Sequence, residues 1–134
     1  MLVGILWLTV LFGRKLRRGR SSEINLTALA ATDPLTGLAN RGQLDELMAL
    51  EWARAERSNR SLAVLMIDVD HFGRYNEFNG HHGGDDALRT LAQIVDDSAQ
   101  RLGDRAARYG GEAFVVVLVE TSLEGAVLLA EALH

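Results

Sequence analysis

Leu62-Ala63-Val64-Leu65-Met66-Ile67-Asp68-Val69-Asp70 is the stretch that decides the fold. An unbroken apolar run of strand length ending on a carboxylate is the pattern of a central strand buried on both faces. Upstream, Leu44, Leu47, Met48 and Ala55 recur with charges between them, which predicts a helix from about Arg41 to Ser58. Downstream, Leu88, Leu91, Ala92, Ile94, Val95, Ala99 and Leu102 recur at helical spacing and predict an amphipathic helix over about Asp86 to Leu102. Arg105 to Tyr109 and Ala113 to Val119 flank Gly110-Gly111, a β-hairpin signal. Leu123, Ala126, Val127, Ala130 and Leu133 open one more helix. Helix, strand, helix, hairpin, helix is the order of an α/β fold, an α+β sandwich whose central antiparallel-containing sheet is flanked by helices.

The chain has 134 residues, 48% hydrophobic and 24% charged, enough for one domain with a real core and too few for two. It contains no cysteine, which excludes a disulfide framework and a thiolate metal site, so any metal must sit on carboxylates, histidines or carbonyl oxygens. The net charge of −4 conceals an asymmetry: Arg14, Lys15, Arg17, Arg18 and Arg20 precede a remainder that is strongly acidic. Duplex affinity comes largely from basic groups neutralising phosphates, so no nucleic-acid partner is expected.

Residues 2 to 12 are apolar and uncharged, and the basic run follows them. As a helix they reach about half of the ~30 Å hydrocarbon core. A signal peptide carries its positive charge before the apolar stretch rather than after it. Residues 1–20 are therefore expected to be a partial transmembrane segment with a basic juxtamembrane run, which places the domain on the cytoplasmic side of the inner membrane. A short interfacial anchor is the alternative. Residues 21–32 are expected to form a connecting helix, and the folded domain, 33–134, starts at the Asp33-Pro34-Leu35-Thr36-Gly37-Leu38 turn.

Asp68 and Asp70 stand where the buried strand emerges, and Glu112 stands at the hairpin turn. Carboxylates delivered by adjacent strand ends suit a hard cation that bridges nucleotide phosphates. Taken alone, Asp-x-Asp and one Glu are weak evidence, because acidic residues at strand ends are most often merely solvated. His71, His81, His82 and His134 make a poor metal set, since the adjacent His81 and His82 cannot easily share one ion.

Several motifs at fixed spacing strengthen that reading. Asp33-Pro34-Leu35-Thr36-Gly37-Leu38-Ala39-Asn40-Arg41, then Asp68-Val69-Asp70-His71-Phe72 with Asn76, Gly80-His81 and Gly84-Asp85, then Arg108-Tyr109-Gly110-Gly111-Glu112-Ala113-Phe114, together resemble the GGDEF family of bacterial cyclic-di-GMP signalling domains. The resemblance implies a nucleotidyl-cyclase-like fold and a diguanylate cyclase in which each subunit of a homodimer holds one GTP. It implies Mg²⁺ (or Mn²⁺) on Asp68, Glu112 and the Val69 carbonyl. Asn76 and Asp85 would contact guanine, while Phe72, Gly110, Gly111 and Arg108 would complete the substrate site. Arg101 and Asp104, in Arg101-Leu102-Gly103-Asp104, look like the family's inhibitory product site for cyclic-di-GMP.

Two substitutions depart from the family pattern: Ala113 replaces a second acidic residue, and Gly73 replaces a Lys near the phosphates. Family members also continue beyond Glu131 with a further strand and helix, so an incomplete domain is expected. These departures leave a second reading, a catalytically degenerate domain acting as a cyclic-di-GMP receptor or as a dimerisation and signal-relay module.

Overall fold

The computed structural model describes residues 3–11 and 31–134. Its elements are β1 (Val3–Leu11), α1 (Arg41–Ser58), β2 (Leu62–Val69), α2 (Phe72–Ser98), β3 (Arg105–Gly110), β4 (Ala113–Val119) and α3 (Leu123–Leu133). The strands form one sheet in the order β1-β2-β4-β3, and every neighbouring pair is antiparallel.

β4 shows why the sheet is a two-sided core. Phe114, Val116 and Leu118 point into one cluster with Ala63, Leu65 and Ile67 of β2, closed by Leu88, Leu91 and Val95 of α2 and by Ala126 and Ala130 of α3. Val115 and Val117 point the other way and, with Leu62 and Ala107, meet Leu44, Met48, Trp52 and Ala55 of α1. Period-two alternation feeds both layers, so nearly every residue of β4 is buried. Each side chain removed from water in this way contributes roughly 1.5–3 kcal/mol.

The helix ends follow local chemistry. Asn40 caps α1 by accepting from the Gln43 amide at 2.9 Å, and Asn59 ends it in a left-handed conformation. Ser122 caps α3 by accepting from the Gly125 amide at 3.1 Å. α2 differs, for His71 precedes it at φ 56° and its side chain makes no capping bond.

Helix α2 is also where sequence and structure diverge most within the domain. It begins at Phe72, well ahead of the expected Asp86, and ends at Ser98, before Leu102. Gly80, Gly83 and Gly84 hide its first part from a propensity reading, and Gly80 bends it at φ 71° and ψ 172°. Leu102, expected on the apolar stripe, is 98% exposed.

The N-terminal stretch is a correction. In place of half a transmembrane helix, Val3–Leu11 is an edge strand on β2, running from Leu11↔Leu62 to Val3↔Val69. The physical reason is that a short uncharged run with Val3, Ile5, Trp7, Thr9 and Val10 also suits the pleated edge, where β2 offers unpaired backbone groups. No described helix is long and apolar enough to cross a membrane. The basic run and most of the expected connecting helix at 21–32 lie outside the described residues.

Candidate nucleotide and cation site

The site forms at the end of the sheet where β2 stops and the β3–β4 turn begins. Asp68 is exposed and lies opposite Ala113, and the Val69 amide donates to the Glu112 carbonyl at 3.2 Å. This bond places the Glu112 backbone beside Val69. The described residues contain no cluster of three or more His, Cys, Asp or Glu side chains that could hold a metal, so the donors this end could offer are the Asp68 and Glu112 carboxylates and backbone carbonyls. Such an all-oxygen set suits a hard cation that keeps several waters, which is how Mg²⁺ binds.

Gly110 and Gly111 are exposed, and an added Cβ at either would meet nothing within 4 Å. Neither has positive φ, so the turn does not need glycine for its backbone shape. Their contribution is open approach to the main chain. Phe72 starts α2, stacks on Tyr75 with ring centroids 6.4 Å apart, and packs partly against the core. Its helix start, free of any side-chain cap, presents amides to whatever lies beyond β2.

One turn on, Asn76 sits on the first limb of α2, and Asp85 sits on the second limb past the Gly80 bend. The Asn76 Oδ1 is buried without a hydrogen-bond partner and lies so close to Gly84 that an added Cβ there would overlap it. A cleft of about 640 Å³ lies along the first limb, bounded by Val69, Phe72, Arg74, Tyr75, Phe78 and Leu91.

Arg108, expected at the substrate site, is bonded within the fold. Its Nη1 reaches both carboxylate oxygens of Asp33 at 3.1 Å, and its Nε and Nη2 donate to the Gly111 carbonyl at 3.1 and 2.7 Å. The guanidinium thus ties the hairpin turn to the Asp33 turn rather than standing free for substrate. Burial alone would raise the Asp33 pKa. Bonds from the Thr36 hydroxyl and amide, with Arg108, outweigh that and hold it below its ordinary value. Sequence reading found the turn and missed this ion pair, which joins residues 75 positions apart.

Arg101 and Asp104 lie at the opposite end of the sheet, about 20 Å away by strand length. Arg101 is exposed and donates to the Thr121 hydroxyl at 3.0 Å. Asp104 is buried, and its Oδ1 accepts from the Val119 amide at 3.1 Å, so part of its capacity closes the turn. Arg101 borders a cleft of about 460 Å³ that also carries Arg54, Arg60, Glu51 and Glu120.

The bent helix α2 thus carries Asn76 and Asp85, and the paired ends of β2 and β4 carry Asp68 and Glu112. Residues 30–134 match the family described as "Diguanylate cyclase, GGDEF domain", and the chain belongs to that family. It is 45% identical over 105 residues to the diguanylate cyclase DgcP of Pseudomonas aeruginosa, covering 78% of this chain and 16% of that protein. It is 41% identical over 107 residues to the response regulator PleD of Caulobacter vibrioides, covering 77% of this chain and 22% of that one. Among solved structures, the coiled coil and GGDEF domain of DgcB from Caulobacter crescentus, in complex with c-di-GMP, superposes with a TM-score of 0.75 at 31% identity, over 82% of this chain and 57% of that one. The diguanylate cyclase SiaD of Pseudomonas aeruginosa, in complex with its activator SiaC, gives 0.72 at 35% identity, over 83% and 43%. The chain therefore spans a small part of its curated relatives.

Proposed function

We propose that the domain binds GTP with Mg²⁺ (or Mn²⁺) and, as half of a homodimer, condenses two GTP into cyclic-di-GMP with release of pyrophosphate. The observation that carries this reading is the pairing that sets Glu112 against Val69 at the end of β2 that carries Asp68, with a buried, unpaired Asn76 Oδ1 on α2. Asp85 and Asn76 orient the base. A carboxylate accepts from the N1 and N2 hydrogens of guanine, and adenine offers no such pair. The uncapped start of α2 takes phosphate oxygens on its amides. A cation held by Asp68, Glu112 and the Val69 carbonyl would neutralise charge on the phosphates.

Positioning then does most of the chemistry. The 3'-hydroxyl of one GTP attacks the α-phosphorus of the other. The new O3'–P bond forms as the bond to pyrophosphate breaks, and a second such step closes the ring. One site holds one nucleotide, so two copies must face each other.

The exposed Arg101 and its arginine-lined cleft favour a second reading, a receptor for cyclic-di-GMP, which Ala113 and Gly73 make more credible. The N-terminal segment with its basic run supports a place at the inner membrane, domain toward the cytoplasm. The deciding experiment incubates the full chain with GTP and Mg²⁺. The expected result is one cyclic-di-GMP and two pyrophosphates per two GTP, abolished by chelation. No product, with cyclic-di-GMP binding that Arg101→Ala removes, would replace the cyclase reading by the receptor.

A further inference from the structure

We infer that Arg108, locked in place by Asp33, is a positioning residue for Glu112: its guanidinium fixes the Gly110-Gly111 turn, so the Glu112 backbone is set before a cation arrives. This rests on the cation reading above and deepens it with two residues that act through the main chain rather than by touching the metal.

The turn needs such a hold. β3 and β4 pair regularly from Arg105↔Val117 to Arg108↔Phe114, and the register shifts before Gly110↔Ala113. Two consecutive glycines lose more conformational freedom on folding than any other pair, and both are exposed with open space where a side chain would stand. Left to its own backbone, the turn would sample many shapes and swing Glu112 with it. Arg108 opposes this by donating from Nη2 and Nε to the Gly111 carbonyl at 2.7 and 3.1 Å. That carbonyl belongs to the peptide plane on the N-terminal side of Glu112. The plane on its other side is held where the Glu112 carbonyl accepts from the Val69 amide at 3.2 Å. With both flanking planes bonded, the direction of the Glu112 Cα–Cβ bond is fixed.

Asp33 supplies the stiffness. A lone guanidinium on its flexible stem would steady the turn only loosely. Here Nη1 meets both Asp33 carboxylate oxygens at 3.1 Å, and the two side chains are only 17% and 16% exposed. Asp33 is itself held: it accepts from the Thr36 amide and hydroxyl at 2.9 and 2.7 Å, and its own amide donates to the Leu38 carbonyl at 2.7 Å. Leu38 is part of the core, and the Arg108 amide donates to the Ala39 carbonyl at 2.9 Å. Root and tip of Arg108 are therefore both tied to the same 33–39 turn. All three guanidinium nitrogens are engaged, on two targets, which the single ammonium of a lysine cannot reproduce.

Two readouts on the full chain separate positioning from stability. Hydrogen exchange of the Val69 amide without metal reports whether the Glu112 carbonyl stays on β2. Electron paramagnetic resonance of Mn²⁺, titrated with a non-hydrolysable GTP analogue present, reads the ligand set without turnover. Arg108→Lys keeps the charge and loses the geometry. It is expected to speed Val69 exchange about tenfold and weaken Mn²⁺ binding about tenfold, with exchange of the Val115 to Leu118 amides unchanged. Asp33→Asn should weaken Mn²⁺ about threefold, and adding it to Arg108→Lys should weaken Mn²⁺ no further, because Asp33 acts through Arg108. Unchanged Val69 exchange and Mn²⁺ affinity in Arg108→Lys overturns the inference and leaves the cation reading standing, as does a further loss in the double variant. Should Arg108→Lys not fold, unchanged Mn²⁺ affinity in Asp33→Asn overturns it equally. A wild-type chain that binds no Mn²⁺ with the analogue overturns both.

Discussion

At one end of the sheet Arg101 donates to Thr121, Asp104 accepts from the Val119 amide, and Arg60 lies 3.9 Å from Glu120. At the other end Asp68 and Glu112 have no side-chain partner among the described residues, the Asn76 Oδ1 is buried and unpaired, and α2 starts without a cap. Similar residue types close a turn at the first end and stay open at the second. Buried polar groups are normally satisfied, so the buried, unpaired Asn76 Oδ1 is the feature that makes the second end the candidate for a ligand. The lesson is that capacity left over after folding locates the site better than acidity does.

The largest break in this contrast comes from removing a ligand. Asp68→Asn is expected to lower metal-dependent GTP turnover by about 100-fold or more, with thermal stability unchanged, because Asp68 is exposed and its side chain makes no hydrogen bond or ion pair in the fold. Turnover over a Mg²⁺ titration, read beside a melting curve, checks both halves.

Next in size is the one charged pair near the site that is satisfied by the fold. Asp33→Ala is expected to cost about 1–3 kcal/mol by stranding Arg108. The Asp33 carboxyl is depressed, so its stabilisation is fully present above its unfolded pKa and disappears as pH falls through the lower folded value. Denaturant unfolding from about pH 5 down to about pH 2 should show an acid-side loss of stability that is smaller in the variant.

Gly84→Ala sharpens the comparison by displacing one side chain only. The new Cβ pushes the Asn76 amide aside, while alanine suits a helix better than glycine. Guanine-nucleotide affinity should fall by about tenfold with stability held, as seen by titration calorimetry with a non-hydrolysable analogue. The smallest effect is a gain. Gly73 has open space around it, so Gly73→Lys should fit and tighten nucleotide binding by about three- to tenfold at low salt, less at high salt.

Much of this was legible in the sequence because β2, β4 and α1 follow clean periodicities. α1 was read as about Arg41 to Ser58 and is observed there. The hairpin was found within a residue. Phe72–Asn79 escaped because the glycines after it break the helical pattern, and local propensity cannot register the Gly80 bend or the close approach of Asn76 to Gly84. The Arg108–Asp33 pair escaped because the two residues are remote in sequence, and only the folded topology joins them. The N-terminal stretch was misread because hydrophobicity without charge does not distinguish a lipid helix from an edge strand when the run is short.

The alternation along β4 has a consequence for how this chain can change over evolutionary time. Phe114, Val116 and Leu118 serve one layer while Val115 and Val117 serve the other. A single residue inserted or deleted in the strand would exchange the two sets, emptying both layers at once and carrying Glu112 away from Val69. Side chains here can drift one at a time, but the spacing between Glu112 and Val119 cannot. The hairpin is thus a ruler whose divisions are fixed by packing and whose zero mark is a carboxylate.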